Sequence, residues 1–85
     1  MAVKLMADWM GTTGRVIRFH RKKARISATQ LALIAGIGKT ALYDIEQGKA
    51  GCRMETLMKI CAALNITVAL EGPLMREFEV NHATD

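Results

Sequence analysis

The sequence predicts a small all-α domain of four or five helices with one β-strand near its C-terminus. Three observations support this prediction. The chain has 85 residues, which is enough for one domain and too few for two. Apolar residues recur at helical spacing in four segments between residues 14 and 64. Residues 66–71 instead alternate with a period of two and include β-branched side chains, which is typical of a strand.

The composition fits a folded domain. The chain is 51% hydrophobic and has 7 Gly and 1 Pro, which excludes a disordered or collagen-like class. No apolar run approaches the roughly 20 residues of a membrane span. The run Leu5, Met6 and Ala7 between Lys4 and Asp8 is too short for a signal peptide. We therefore expect a cytoplasmic protein.

Periodicity and charge divide the chain into three segments. We expect an N-terminal arm, a folded domain and an acidic tail at residues 1–13, 14–71 and 72–85. The first helix is predicted from Gly14 to Ala24, with Thr13 as its N-cap. Ser27 is the expected N-cap of the second helix, and Gly48 is the expected glycine after the third. The second, third and fourth helices are predicted at Ala28–Ala35, Lys39–Gln47 and Met54–Leu64.

Each predicted helix has one apolar side, which we expect to face the core. The expected inward residues, in chain order, are Val16, Ile17, His20, Ala24, Leu31, Ala32, Ala35, Leu42, Ile45, Glu46, Leu57, Met58, Ile60, Cys61 and Leu64. Cys52 and Cys61 are interpreted as structural thiols, because two cysteines and two histidines make a zinc site improbable.

The predicted strand, Ile66–Glu71, ends at Gly72-Pro73. One strand in a helical chain leaves its backbone donors and acceptors without partners, so we expect it to pair with another copy in an antiparallel ribbon. Alternation would then turn Ile66, Val68 and Leu70 toward the helices of both subunits. The alternative is a hairpin within the chain with Glu77–Val80.

The net charge of +4 hides an asymmetry. From Arg15 to Arg53 there are nine basic residues and two acids, a local net charge of +7. From Glu71 to the end there are four acids and one Arg, a local net charge of −3. The density of basic residues indicates an anionic partner, either a nucleic acid or a membrane surface.

Residues 27–49 have the spacing of a helix-turn-helix motif, in which two short helices are joined by a glycine-containing turn. Ala32 is the small residue needed where the helices touch, Gly36 suits the turn, and Ile37 follows as an apolar plug. In this plan the second helix lies in the major groove of DNA with its first turn at the base edges. The turn chemistry thus favours DNA over a membrane surface.

The motif resembles the Cro/C1-type (phage-repressor-like) helix-turn-helix family. The similarity covers roughly residues 14–70 and includes Ser27-Ala28-Thr29-Gln30-Leu31-Ala32, Leu42, Ile45-Glu46 and Ala62-Ala63-Leu64-Asn65-Ile66. Within the family, the chain is similar to HipB-type antitoxins. That similarity rests on a strand in place of a fifth helix and on Gly36-Ile37-Gly38, Tyr43 and Arg53-Met54-Glu55-Thr56-Leu57.

The resemblance implies roles for individual residues. Lys39, Thr40 and Tyr43 would face the bases, and Arg21 and Glu46 would form a structural ion pair inside the domain. By charge or by position, a further set is expected to contact phosphates: Arg18, Lys22, Lys23, Arg25, Ser27, Thr29, Gln30 and Lys49.

Two positions depart from the pattern. The family usually has Gln where this chain has Ala28, and Thr29 or Gln30 is expected to substitute for it. Asp44, an acid in the recognition helix, has two possible roles. It can accept a hydrogen bond from a cytosine amino group, or it can serve an intrahelical or capping role, which repulsion from phosphate favours.

The sequence therefore predicts a homodimeric, sequence-specific repressor that binds an inverted-repeat operator, associated with the nucleoid. The HipB-like features imply an antitoxin that binds a HipA-like kinase toxin and regulates its own operon; the alternative is a stand-alone repressor. No catalytic constellation is apparent, and Gly36-Ile37-Gly38-Lys39-Thr40 lacks the first glycine and the preceding strand of a phosphate-binding loop. We expect no enzymatic activity, metal or cofactor.

Overall fold

The computed structural model describes residues 8–49 and 51–82. These residues form five helices: α1 (Trp9–Lys23), α2 (Ala28–Ala35), α3 (Lys39–Glu46), α4 (Met54–Leu64) and α5 (Met75–His82). Extensive packing joins α1 to α3 and α4, and α2 to α3 and α4, whereas α5 belongs to none of these pairs. Residues 1–7 of the predicted arm and 83–85 of the predicted tail lie outside the described residues.

The first helix begins earlier than predicted. It starts at Trp9, so Thr13 is a buried residue within α1 and its assignment as N-cap is wrong. A Cβ atom on Gly14 would meet the backbone carbonyl oxygens of Ile45 and Glu46, the latter at 2.8 Å. Gly14 is therefore a point of close contact between α1 and α3, whereas the sequence predicted it as the first residue of the helix.

This contact also decides which side of α1 is buried. The buried residues are Met10, Thr13, Gly14 and Ile17. Val16 is half-buried, while His20 and Ala24, which were expected to face the core, are exposed. The prediction was wrong there because the contact of Gly14 with α3 turns α1 so that Arg21, rather than His20, lies on the inward face.

The core lies between α1, α2, α3 and α4. Ile17, Leu31, Leu42 and Ile60 are its largest fully buried side chains, and burial of each contributes about 1.5–3 kcal/mol. Leu64 is half-buried, and Met58, predicted to be inward, is 41% exposed. The remaining members of the buried cluster are Ala32, Ile45, Leu57 and Cys61.

The four packed helices all end in the same way. After each of them one residue adopts the left-handed conformation: Arg25 (φ 59°), Gly36 (φ 72°), Gly48 (φ 75°) and Asn65 (φ 58°). The next residue then donates its N–H to a carbonyl five positions back. These hydrogen bonds join Ile26 to Arg21 (3.4 Å), Ile37 to Ala32 (3.0 Å), Lys49 to Asp44 (3.0 Å) and Ile66 to Cys61 (2.8 Å). This arrangement is the Schellman motif, which satisfies the last carbonyl groups of a helix.

The predicted C-terminal strand is not observed. Residues 66–71 are described and have no regular secondary structure in the single chain. A strand requires a neighbouring strand for its hydrogen bonds, and residues 8–49 and 51–82 of a single copy include none. The alternative hairpin is wrong, because Glu77–Val80 lie within α5.

Candidate nucleic-acid interface

The helix-turn-helix unit consists of α2, the turn at residues 36–38 and α3. Ser27 and Gln30 form a capping box at the start of α2: the Gln30 N–H donates to Ser27 Oγ (3.0 Å), and the Ser27 N–H donates to Gln30 Oε1 (2.7 Å). At the other end of α2, Gly36 takes its left-handed conformation and Ile37 packs against the core. Local hydrogen bonds thus fix both ends of α2.

The recognition helix α3 has a buried side and an exposed side. Leu42 and Ile45 are buried, while Lys39, Thr40 and Tyr43 are exposed. Since residues three or four apart share a helix face, these three side chains lie together on the outer face of α3. The structure therefore brings together the three residues predicted to face DNA bases.

Arg21 and Glu46 meet in a two-point contact. Arg21 donates from Nε to Glu46 Oε2 (2.8 Å) and from Nη2 to Oε1 (2.9 Å), and its Nη1 donates to the carbonyl of Ile26 (3.1 Å). The two side chains are only 13% and 6% exposed. The hydrogen bond to Glu46 raises the pKa of Arg21 above its already high value. This pair joins the end of α1 and the α1–α2 loop to the end of α3.

The basic residues at the end of α1 are exposed but point in different directions. Arg18 and Lys22 lie four residues apart on one side of the helix. Lys23 lies over the ring of Phe19, with its Nζ 5.7 Å from the ring centroid. At about 100° per residue, Phe19 and Lys23 fall on the side of α1 opposite the buried Ile17. Arg25 extends from the loop in the left-handed conformation.

At the start of α2, all three predicted phosphate contacts are exposed. The side chains of Ser27 and Gln30 are occupied by the capping box, and Thr29 is not part of it. Of the two residues expected to substitute for the missing glutamine at Ala28, Thr29 is therefore the better placed to contact a phosphate.

Lys49 follows α3 and is in contact with that helix. Its Nζ lies 3.2 Å from Asp44 Oδ1 and 5.8 Å from the centroid of the Tyr43 ring. This contact is neither of the two roles considered for Asp44, because Lys49 lies beyond the end of α3. The sequence contained a signal for this pair, because a helix-ending glycine at position 48 places residues 44 and 49 side by side.

The two cysteines differ in burial. Cys61 is 3% exposed, and burial raises the pKa of its thiol. Cys52 is half-buried, with its Sγ 3.9 Å from the sulfur of Met10.

Within residues 8–49 and 51–82, none of the helices has the length and apolar character that a membrane crossing requires.

Comparison with known families gives one result. The model of the Cro/C1-type HTH DNA-binding domain matches residues 17–69, from the middle of α1 to just beyond α4. No curated protein sequence matches the chain. The matched residues include the whole helix-turn-helix unit and both members of the buried ion pair. The chain therefore belongs to the Cro/C1-type helix-turn-helix DNA-binding family.

Proposed function

We propose that this protein is a sequence-specific transcriptional repressor that binds an inverted-repeat operator as a homodimer. The outer face of α3 supports this most directly, because it presents Lys39, Thr40 and Tyr43 to solvent on a helix whose other side is held in the core. A lysine can donate to guanine O6 and N7, and a threonine can bond a base or contact a thymine methyl group. These residues would read the operator.

The basic residues around α3 would supply the affinity. Residues 15–53 have a local net charge of +7, and each phosphate neutralised adds about 0.9 to the slope of log affinity against log salt. Such contacts hold for any DNA sequence, so they position the protein without selecting the site. Specificity would thus come from α3, and binding strength on any DNA sequence would come from the end of α1 and the start of α2.

Dimerisation would occur through residues 66–71. Val68 and Leu70 are 46% and 85% exposed in the single chain, which leaves apolar surface in contact with water. Antiparallel pairing of two copies of this segment would satisfy its backbone and bury these side chains. A rigid dimer would also hold two α3 helices one DNA turn, roughly 34 Å, apart, as an inverted repeat requires.

The antitoxin role is the finer part of the proposal. It rests on the HipB-like features at Gly36-Ile37-Gly38, Tyr43 and residues 53–57, and it implies a HipA-like kinase toxin as a second partner. Leu33 and Ile34 on α2 are 82% and 62% exposed, which offers apolar surface for contact with a protein. The alternative is a stand-alone repressor with no toxin partner.

Selection of duplexes from a random-sequence pool would test the repressor role. We expect the chain to enrich an inverted repeat and to bind it as a dimer in sedimentation. Lys39→Ala and Thr40→Ala should each cost about 1–3 kcal/mol on the enriched duplex and relax its sequence preference, with little change in melting temperature. Lys22→Ala should weaken binding to the enriched duplex and to the pool by similar factors.

Two results would contradict these roles. If the pool yields no preferred sequence, the repressor role fails. If neither α3 variant changes the preference, α3 is wrongly assigned as the recognition helix. The antitoxin role has its own test, which is co-purification with a kinase encoded by the neighbouring gene. A neighbouring gene of another kind would favour the stand-alone repressor.

A further inference from the structure

The residue after each left-handed position shows an unexpected difference between α3 and the other packed helices. After α1, α2 and α4 that residue is an isoleucine: Ile26, Ile37 and Ile66. All three pack against the buried core. An apolar residue at this position is the usual companion of a Schellman motif. After α3 the residue is Lys49, whose side chain is 62% exposed.

Lys49 is nevertheless held in place. Its backbone N–H donates to the Asp44 carbonyl (3.0 Å), and its ammonium lies 3.2 Å from the Asp44 carboxylate. The ring of Tyr43 lies on another side, 5.8 Å from the ammonium. Both neighbours belong to the exposed part of the recognition helix. The position that contributes to the core in the other helices is thus a charged contact beside the base-reading residues.

We propose that Asp44 is a specificity-determining residue, because it neutralises Lys49 until the recognition helix is seated in its operator. On non-specific DNA the nearby carboxylate offsets the charge of Lys49 and so reduces its contribution to phosphate binding. On the operator, Lys49 moves to a phosphate, and Asp44 accepts a hydrogen bond from the amino group of a cytosine. This inference rests on the proposed function. It adds the means by which the protein distinguishes its operator from other DNA sequences.

The geometry allows this exchange. The Asp44 side chain is 42% exposed, and ion pairs between exposed groups are weak because water screens them. An open cleft of about 460 Å³ borders both residues, so Lys49 can leave Asp44 without displacing packed side chains. The buried Arg21–Glu46 pair, at 13% and 6% exposure, has no such freedom. The two ion pairs of α3 therefore have different consequences, one for the fold and one for recognition.

The salt dependence of binding distinguishes a neutralised lysine from a released one. Release of Lys49 only on the enriched duplex makes the slope of log affinity against log salt steeper for that duplex than for the random pool. This residue alone should account for a difference of about 0.9. Asp44→Asn should steepen the slope for the pool by about 0.9, raise affinity for the pool, and leave the slope for the enriched duplex unchanged. Lys49→Gln should reduce the slope for the enriched duplex by about 0.9 and leave that for the pool unchanged.

Glu55→Gln is the matched control. Glu55 pairs with Lys59 at 3.5 Å on the surface of α4, and the substitution changes the net charge by the same amount as Asp44→Asn. It should leave both slopes unchanged. Equal gains in pool affinity for the two variants would overturn the proposal in favour of a general effect of net charge. Thermal melts of both variants establish that they remain folded.

The double variant Asp44→Asn with Lys49→Gln tests whether Asp44 acts through Lys49. Its affinity for the pool should return to that of Lys49→Gln alone. If the double variant keeps the gain seen with Asp44→Asn, the carboxylate acts on phosphates directly and the proposal is wrong. Failure of the repressor role would look different, since the wild-type chain would then enrich no sequence at all.

Discussion

The four-helix body (residues 9–66) of this protein has a buried apolar core, whereas residues 67–81 of the C-terminal segment (residues 67–82) include no buried residue. In the body, Ile17, Leu31, Leu42 and Ile60 are fully buried, and each helix ends in a capped turn. In the C-terminal segment, apolar side chains remain in contact with solvent: Val68 is 46%, Leu70 85%, Leu74 67% and Val80 77% exposed.

The difference shows which part of the chain can form its structure alone. The body satisfies its backbone by local hydrogen bonds and gains the free energy of apolar burial within one copy. Among the described residues, none of the extensive helix–helix contacts involves the C-terminal segment. Ordering a segment without such burial is opposed by conformational entropy, so we expect residues 67–71 of this segment to pair with a second copy of the chain, which supplies the missing surface there.

The largest expected effect tests the C-terminal side of this comparison. Leu70→Asp should abolish dimerisation, because a dimer loses two buried leucines, each contributing about 1.5–3 kcal/mol. Sedimentation should show a monomer whose helical content is retained. Val80→Asp makes the same chemical change on α5, outside residues 66–71, and should leave the dimer intact. A dimer that tolerates Leu70→Asp but not Val80→Asp would place the interface on α5 instead.

Within the same segment, Val68→Pro should give a comparable loss of dimer, because proline removes a donor from the strand ladder. Val68 is 46% exposed and lies outside the helices, so the body should keep its melting temperature. Operator affinity should fall far more than affinity for random duplexes. A full-strength dimer in sedimentation would count against the ribbon and favour a helical interface.

Arg21→Ala should have the largest effect on the body. Removing one member of a buried pair leaves the other charge uncompensated, which costs about 3–5 kcal/mol. Urea denaturation should show this loss. Arg18→Ala is the control, because Arg18 lies one turn earlier on α1 and is exposed. A stability loss of the same size for both variants would mean that the buried pair has no special importance.

Two glycines of α1 give a smaller and matched test of helix packing. Gly14→Ala should cost about 1–3 kcal/mol, because the new methyl group meets backbone carbonyl oxygens of α3 that cannot move aside alone. Gly11→Ala meets the flexible Asp8 side chain and should be neutral or stabilising by up to about 1 kcal/mol, the difference in helix propensity. Equal melting temperatures for the two variants would contradict the close contact of α1 with α3.

The smallest expected effect concerns the left-handed residues of the body. Arg25→Gly should stabilise the protein by about 1 kcal/mol, because glycine adopts a positive φ without the steric cost. It should also reduce the salt slope of DNA binding by about 0.9 if Arg25 contacts a phosphate. Asn65→Gly, with nearly the same φ, should change stability alone. A loss of DNA binding in both variants would mean that the backbone change itself disturbs docking.

Much of the body could be predicted from the sequence. The bounds of α2 and α4 agree with those predicted, and α3 ends one residue earlier than expected. These bounds depend on the N-cap Ser27, on Gly36 and Gly48, and on helical spacing, all of which act over a few residues. The exposed face of α3 follows from the same spacing, since burial of Leu42 and Ile45 turns Lys39, Thr40 and Tyr43 outward.

Contacts between distant segments were decided only by the tertiary structure. Local spacing placed the start of α1 at Gly14, whereas this glycine lies within the helix, in close contact with the backbone of α3. The exposure of His20 and Met58 depends on how the helices rotate against each other. The segment at residues 66–71 has the alternation of a strand, but the part of one chain that the structure describes contains no other strand, and strand formation requires hydrogen bonds to another segment. The C-terminal ends of the four packed helices are determined by neighbouring residues, whereas the buried face of α1 and the pairing of residues 66–71 depend on what they pack against.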